Sequence, residues 1–306
     1  MRFTALYPMH HPTYSDEIVD GRYVADLARA AEAAGFDALA LTEHPAPSAR
    51  WLATGGHDAL DVFTYLGFCA AVTSRVKLLP YVLVPAFRSA VMGAKQVATL
   101  DILSGGRAIV PVGTGYLRSE ATALGMPFDE RNELLDEAVA TWKQLWTGEE
   151  VDITGRHFEA SGTLARPRPV QRPHPPIWIG GNSARARQRV ADYGEGWTPI
   201  VGGEVLARTT RTAPMPDLAT LRTYVDDLGR RLDLAGRDPS TITVQLQGDG
   251  SHALDRQTPA PAQLEWIAEA EAAGMTQLVV EIPAASAAAG LEGVERYGKD
   301  VIATYR

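Results

Sequence analysis

The feature that most constrains this chain is a unit that recurs along it. Residues 31–41 read AEAAGFDALAL, and residues 270–280 read AEAAGMTQLVV. Each joins an Ala-rich helix end to a glycine and then to a short apolar run. Ala, Glu and Leu favour helix. Gly35 and Gly274 fit the left-handed position just past a helix, which glycine occupies without a Cβ clash. A short apolar run without alternation is the pattern of a strand buried on both faces. Looser copies pass through Gly105-Gly106 into RAIVPV at 107–112, and through Gly194 and Gly196 into WTPI at 197–200.

Traced along the chain, this alternation predicts strands near 2–7, 37–42, 76–83, 107–112, 177–180, 196–200, 241–247 and 276–282. Helices are expected near 20–34, 58–72, 88–103, 128–146, 183–193, 216–235, 260–273 and 290–304. Eight of each point to an α/β fold, a closed (β/α)8 TIM barrel. An open doubly wound sheet is the alternative. The chain, 1–306, is read as one barrel domain, since barrels reach this length as a unit. Residues 148–176 hold many prolines and two short alternating runs, so they read as an insertion with a hairpin before strand five. The connection 43–57 leaves a strand's C-terminal end, where barrel enzymes build their sites.

Charge and cysteine content narrow the partners. There are 29 basic and 37 acidic residues, a net charge of −8, which argues against a nucleic-acid partner. The lone Cys69 excludes an internal disulfide and a CxxC metal site. No run approaches the ~18 apolar residues of a membrane span. Met1-Arg2 runs straight into Phe3-Thr4-Ala5-Leu6 without a signal-peptide pattern, so a soluble cytoplasmic protein is expected.

Polar residues gather after the expected strands: His10 and His11, Glu43 and His44, Pro85 and Arg88, Gly113 to Tyr116, and Gly181 to Ser183. In a barrel these converge on one mouth. Pro175 to Ser183, PPIWIGGNS, ends a strand in two glycines and starts a helix. That is a phosphate cradle, or else a plain turn capped by Asn182 or Ser183. Gly113-Thr114-Gly115 is a second such turn, or a loop needing positive φ. Two cradles on neighbouring strands suggest an extended phosphorylated cofactor. His44 is the candidate for proton chemistry, with Glu43 beside it either holding its tautomer or pointing elsewhere. His57 reads as a surface residue of a lid. Tyr7, Trp51, Tyr81, Tyr116 and Trp178 fall near strand ends or loops and suit a planar ring, with core packing preferred for Trp178. A metal is not expected, because neither HxH nor HExxH spacing occurs. There is no GxSxG elbow for a nucleophilic triad.

These residues resemble the luciferase-like monooxygenase superfamily, in particular its F420-dependent oxidoreductase branch. The carriers are Gly35-Phe36-Asp37 into Leu41-Thr42-Glu43-His44, Leu103 to Arg107 into Val112 to Tyr116, Pro175 to Ser183, and Tyr193 to Trp197. They lie within residues 1–200; the last hundred residues match only in helix–strand rhythm. The resemblance implies a TIM barrel with an insertion before strand five, and a redox enzyme using coenzyme F420 or reduced FMN. It implies that His44 sits against the deazaflavin, with Glu43 beside it as the second catalytic residue. The turns Gly113-Thr114-Gly115-Tyr116 and Gly180-Gly181-Asn182-Ser183 would hold the ribityl chain and phosphate. A non-proline cis peptide is implied at Tyr81-Val82, under the ring. His10, His11 and Trp51 would line the substrate pocket. Arg88, Arg118, Arg185 and Arg187 are candidates for the acidic tail of F420, or else solvated helix charges.

Some F420-dependent sugar-phosphate dehydrogenases carry an acid directly after the glycine-threonine-glycine run. Tyr116 stands there in this chain. The reading is thus hydride transfer between F420 and a small organic substrate. The alternatives are an FMN-dependent monooxygenase, a non-catalytic binding barrel, and a metal hydrolase using His10, His11 and Glu43. A homodimer is expected because members of this family often pair.

Overall fold

The structure is a computed structural model that describes residues 1–247 and 259–306. Its strands are β1 (Arg2–Leu6), β2 (Ala38–Leu41), β3 (Lys77–Pro80), β4 (Val110–Val112), β5 (Glu150–Thr154), β6 (Glu159–Leu164), β7 (Ile177–Gly180), β8 (Gly196–Thr198), β9 (Thr243–Leu246) and β10 (Gln277–Glu281). Eight of them pair in parallel in the order β3-β2-β1-β10-β9-β8-β7-β4. The two ends of that row meet. Leu78 N–H donates to Arg107 O (3.0 Å) and Leu83 N–H to Pro111 O (2.8 Å), and bridges join Leu78 to Ala108 and Leu83 to Val112. The fold is therefore a (β/α)8 TIM barrel rather than an open sheet. β5 and β6 form the antiparallel hairpin of the insertion before strand five.

Period-two alternation builds two cores from these strands. Leu6, Ala38, Ala40, Leu79, Ile109, Trp178 and Val279 point inward and fill the barrel. Leu39, Leu41, Leu78, Val110, Ile177, Ile179 and Leu278 point outward beneath the helices. Trp178 is thus a core residue. Gly196 leaves room for it, because a Cβ there would lie 2.5 Å from the indole. Gly35 (φ +92°) and Gly274 (φ +106°) end the helices Gly21–Ala33 and Ala260–Ala272 in the left-handed region, as the repeat predicts. Arg107, from the glycine-glycine-arginine motif, is buried and donates to the backbone carbonyls of Ala70, Thr73, Val76 and Ser104. It locks the bottom of the barrel.

Besides the single turn Ala49–Leu52 in the connection after β2, two short helices are absent from the sequence expectation: Arg118–Ala123 after β4 and Glu204–Thr210 after β8. Six or seven residues give no stripe to read, and a helix that short depends on tertiary contacts. Both stand at the C-terminal mouth. Among the described residues no helix is long and apolar enough to cross a membrane.

Candidate active site

His44 leaves the end of β2 and turns into the mouth. Its Nδ1 lies 3.1 Å from Glu120 Oε2, while Glu120 Oε1 accepts the Ala46 N–H (3.0 Å). Glu120 is 1% exposed, so its carboxylate fixes Nδ1 as the protonated nitrogen. That leaves Nε2 with the lone pair, 3.3 Å from the Tyr116 hydroxyl. Burial pushes the Tyr116 phenol up, so it stays a donor. The rings of Trp51 and His57 stand 4.6 and 4.9 Å from the imidazole.

Glu43 points away from His44, the second of the two readings that the sequence left open, and this corrects its place as the second catalytic residue. Its carboxylate accepts the Val84 N–H (2.6 Å) and pairs with Arg88. It ties the turn after β3 in place, where the Tyr81–Val82 peptide is cis. Consecutive residues of an extended chain point to opposite sides, so the sequence neighbour of His44 is poorly placed to be its partner. His57 is also corrected: it turns inward onto His44 rather than lying on a lid surface.

Burial holds the His57 imidazole at about 4, below its ordinary 6.5. Between those pH values the unfolded chain takes up a proton that the folded chain refuses. Stability should therefore fall as pH drops from 6.5 to about 4, with roughly 3 kcal/mol traceable to this ring. In a His57→Gln variant the acid limb of a Tm-against-pH curve should be shallower than in the parent. Equal limbs would contradict the inward, neutral placement.

Two cavities share the mouth. One, of about 490 Å³, is floored by Leu6, Tyr81 and Val82 and walled by His10, His11, His44 and Trp51. The other, of about 390 Å³, is lined by Gly113, Thr114, Gly180, Gly181 and Ser183. Tyr81, Val82, Gly115, Tyr116, Ile200 and Thr210 line both, so the two are continuous. The glycines keep the passage open. A Cβ at Gly113 would lie 2.7 Å from Val82 Cγ2, and one at Gly180 would lie 3.3 Å from Val112 O. Gly181 also needs its positive φ of +99°.

Asn182 does not line either cavity, which corrects its assignment as a cofactor ligand. Its side chain donates to Ile200 O and Ala213 O (both 2.9 Å) and accepts the Ile200 N–H (3.0 Å). Its N–H donates to Thr212 Oγ1 (2.7 Å). It fixes the walls of the second cavity instead. Ser183 caps the helix Ala184–Tyr193 through Ala186 N–H (3.1 Å) and still faces the cavity.

The four arginines singled out from sequence are all paired. Arg88 meets Glu43, Arg118 meets Asp129, Arg185 meets Glu133 and Asp136, and Arg187 meets Asp227. Two others were missed. Arg131 and Arg211 line the second cavity, against the Phe128 ring at 4.3 and 5.2 Å. Arg131 donates to Phe128 O and Arg211 to Tyr116 O (both 3.1 Å), and neither has an ion-pair partner among the described residues. Their signal was position beside the two short helices, which the alternation does not reveal.

The site thus joins a chamber of about 490 Å³, an imidazole whose Nδ1 is held by Glu120, and a glycine-lined channel bordered by cationic side chains. These features fit a planar cofactor with an anionic tail.

An FMNH(2)-dependent dimethylsulfone monooxygenase from Pseudomonas putida is 33% identical over 177 residues, 56% of this chain and 47% of that protein. The match therefore spans about half the length of this curated relative. Monooxygenase RslO1 from Streptomyces bottropensis superposes with a TM-score of 0.77 at 20% identity over 100% of both chains. The coenzyme F420 dependent tetrahydromethanopterin reductase from Methanopyrus kandleri gives 0.75 at 18% identity, over 100% of this chain and 99% of the other. At such identities the superpositions establish the fold alone. The family profile of the luciferase-like monooxygenases matches residues 1–249, and the chain belongs to that family.

Proposed function

We propose that this chain is an oxidoreductase that passes a hydride between coenzyme F420 and a small organic substrate. The observation that carries the reading is Arg131 and Arg211 on the second cavity, neither in a salt bridge among the described residues, with Asp129 near enough to feel both charges. Arg131 is half-buried and Arg211 is exposed at the rim of that cavity, and each spends one guanidinium donor on a backbone carbonyl, which leaves others for an anion. The tail of F420 is longer and more acidic than that of FMN, and two arginines beyond the glycine turns suit it. The bound deazaflavin supplies or accepts the hydride.

The chain's own residues do the rest. Leu6, Tyr81 and Val82 support the ring, and Gly113, Thr114, Gly180, Gly181 and Ser183 admit the ribityl phosphate. His44 Nε2, which carries the lone pair, takes a proton from the substrate and, once protonated, can return it. Glu120 keeps the opposite nitrogen protonated throughout. Trp51 and Phe87 keep water from the chamber, which strengthens every polar contact inside it.

The second reading is an FMN-dependent monooxygenase, favoured by the Pseudomonas putida relative, whose name gives FMNH(2) as its cofactor. Equilibrium titration of the purified chain with F420 and with FMN, read by cofactor fluorescence, separates the two. F420 binding at least about tenfold tighter supports the proposal, a difference of about 1.4 kcal/mol. Tighter FMN, or no binding of either, overturns it.

A further inference from the structure

In the chamber that His44 also lines, three side chains from the two ends of the chain meet. His10 and His11 come just after β1, and Glu281 ends β10. One ligand atom from each lies within 4.8 Å of the other two, and all three residues line the larger cavity. We propose that His10, His11 and Glu281 bind a divalent first-row transition cation of the zinc type at the rim of the substrate chamber.

The hydrogen bonds behind these residues carry the inference. A metal-bound histidine gives its other N–H to a carbonyl or carboxylate, which fixes the ligating tautomer. His10 Nδ1 lies 3.1 Å from Tyr7 O, which makes Nε2 the ligating nitrogen. His11 Nε2 lies 3.2 Å from Ile282 O, which makes Nδ1 the ligating nitrogen there. The carboxylate is held too: Glu281 Oε1 accepts from Gln247 Nε2 at 2.6 Å. Each prospective ligand therefore has its own backing.

The direction of the donors agrees. His10 Nε2 is buried and lies 3.2 Å from Glu281 Oε2, yet the two are not aligned as a hydrogen bond. Donors aimed at a common third point approach each other in this way. Tetrahedral bonds of roughly 2.0–2.1 Å put donors about 3.3 Å apart. The side chains reach that by small rotations, since the imidazole centroids are already 4.2 Å apart. Two imidazoles and a carboxylate suit zinc, nickel or cobalt better than magnesium or calcium. The described residues supply three protein ligands, and a fourth coordination position faces the cavity that they line. That position would take a substrate oxygen, a carboxylate or carbonyl, and this role rests on the oxidoreductase reading above.

The site escapes a search for local spacing because its third ligand is 270 residues from His11. Glu43, the acid that sequence suggested for a metal, is engaged by Arg88 and Val84 instead.

The test uses the full chain, freed of metal by a chelator and titrated with Co2+ in the absence of any flavin. One equivalent should bind and give visible d–d absorption. Glu281→Gln and His11→Asn should each abolish that band, and Gln247→Leu should weaken binding about 10–100-fold. His157→Ala, on the exposed hairpin, should leave it unchanged. A far-ultraviolet circular dichroism spectrum of each variant separates a lost ligand from a lost fold. Binding of less than one equivalent overturns the proposal, as does a band that survives in folded Glu281→Gln. Cobalt binding is read without cofactor, so its failure leaves the F420 reading standing, and failure of F420 binding leaves the metal site testable.

Discussion

His44→Ala should lower turnover by about 10²–10⁴-fold while leaving cofactor affinity within a few-fold of the parent. The range is that of a positioned general acid or base. Only Nε2 faces the substrate side, since Nδ1 is committed to Glu120. The tail cavity lies on the far side of Tyr81 and Val82, so removing the imidazole does not touch the groups that would hold the phosphate. Glu120→Gln should give a smaller loss of about 10–100-fold, because the carboxamide keeps the shape but can present the wrong partner to Nδ1. Its signature is a displaced pH profile of kcat, which a purely structural defect would not produce. Pre-steady-state rates with saturating cofactor make the comparison. An unchanged rate in His44→Ala would remove the imidazole from the chemistry.

The second large effect belongs to the tail. Arg131→Ala combined with Arg211→Ala should raise the Kd for F420 by at least about 100-fold. Each hydrogen bond to a charged group contributes about 1.5–3 kcal/mol, and two are lost. Both guanidiniums stack on Phe128 and donate once to backbone, so the fold keeps most of its packing when they are cut back. The salt dependence of binding should flatten at the same time, since fewer charges are neutralised. FMN, whose tail ends at its phosphate, should lose less. Titration of F420 and FMN at two ionic strengths checks all of this, and an unchanged F420 Kd would place the acidic tail elsewhere.

Features set by local chemistry were legible in the sequence. The helix–glycine–strand unit depends on residues within about a dozen positions, and it yields the barrel, the hairpin insertion and the mouth. The glycine turns are legible for the same reason, since backbone approach needs the missing Cβ at Gly113, Gly180 and Gly181. His44 stands at a strand end and is found by counting strands. Partnerships were not legible. Glu120 is 76 residues from His44, on a helix of six residues with no periodic signature. Glu43 was the nearer acid in sequence and the wrong one in space. Asn182 shows the same limit: an Asn after two glycines reads as a ligand, yet its amide satisfies the loop at Ile200 and Ala213. The arginines failed for a related reason, because a charge in sequence does not say whether an acid lies opposite it.

A diffraction structure of the chain with F420 bound tests the central claim most directly. Electron density should place the ring over Tyr81 and Val82 with its reacting edge toward His44, and the tail between Ser183, Arg131 and Arg211. Density for the ring outside the chamber, or for a tail pointing away from the two arginines, would contradict it.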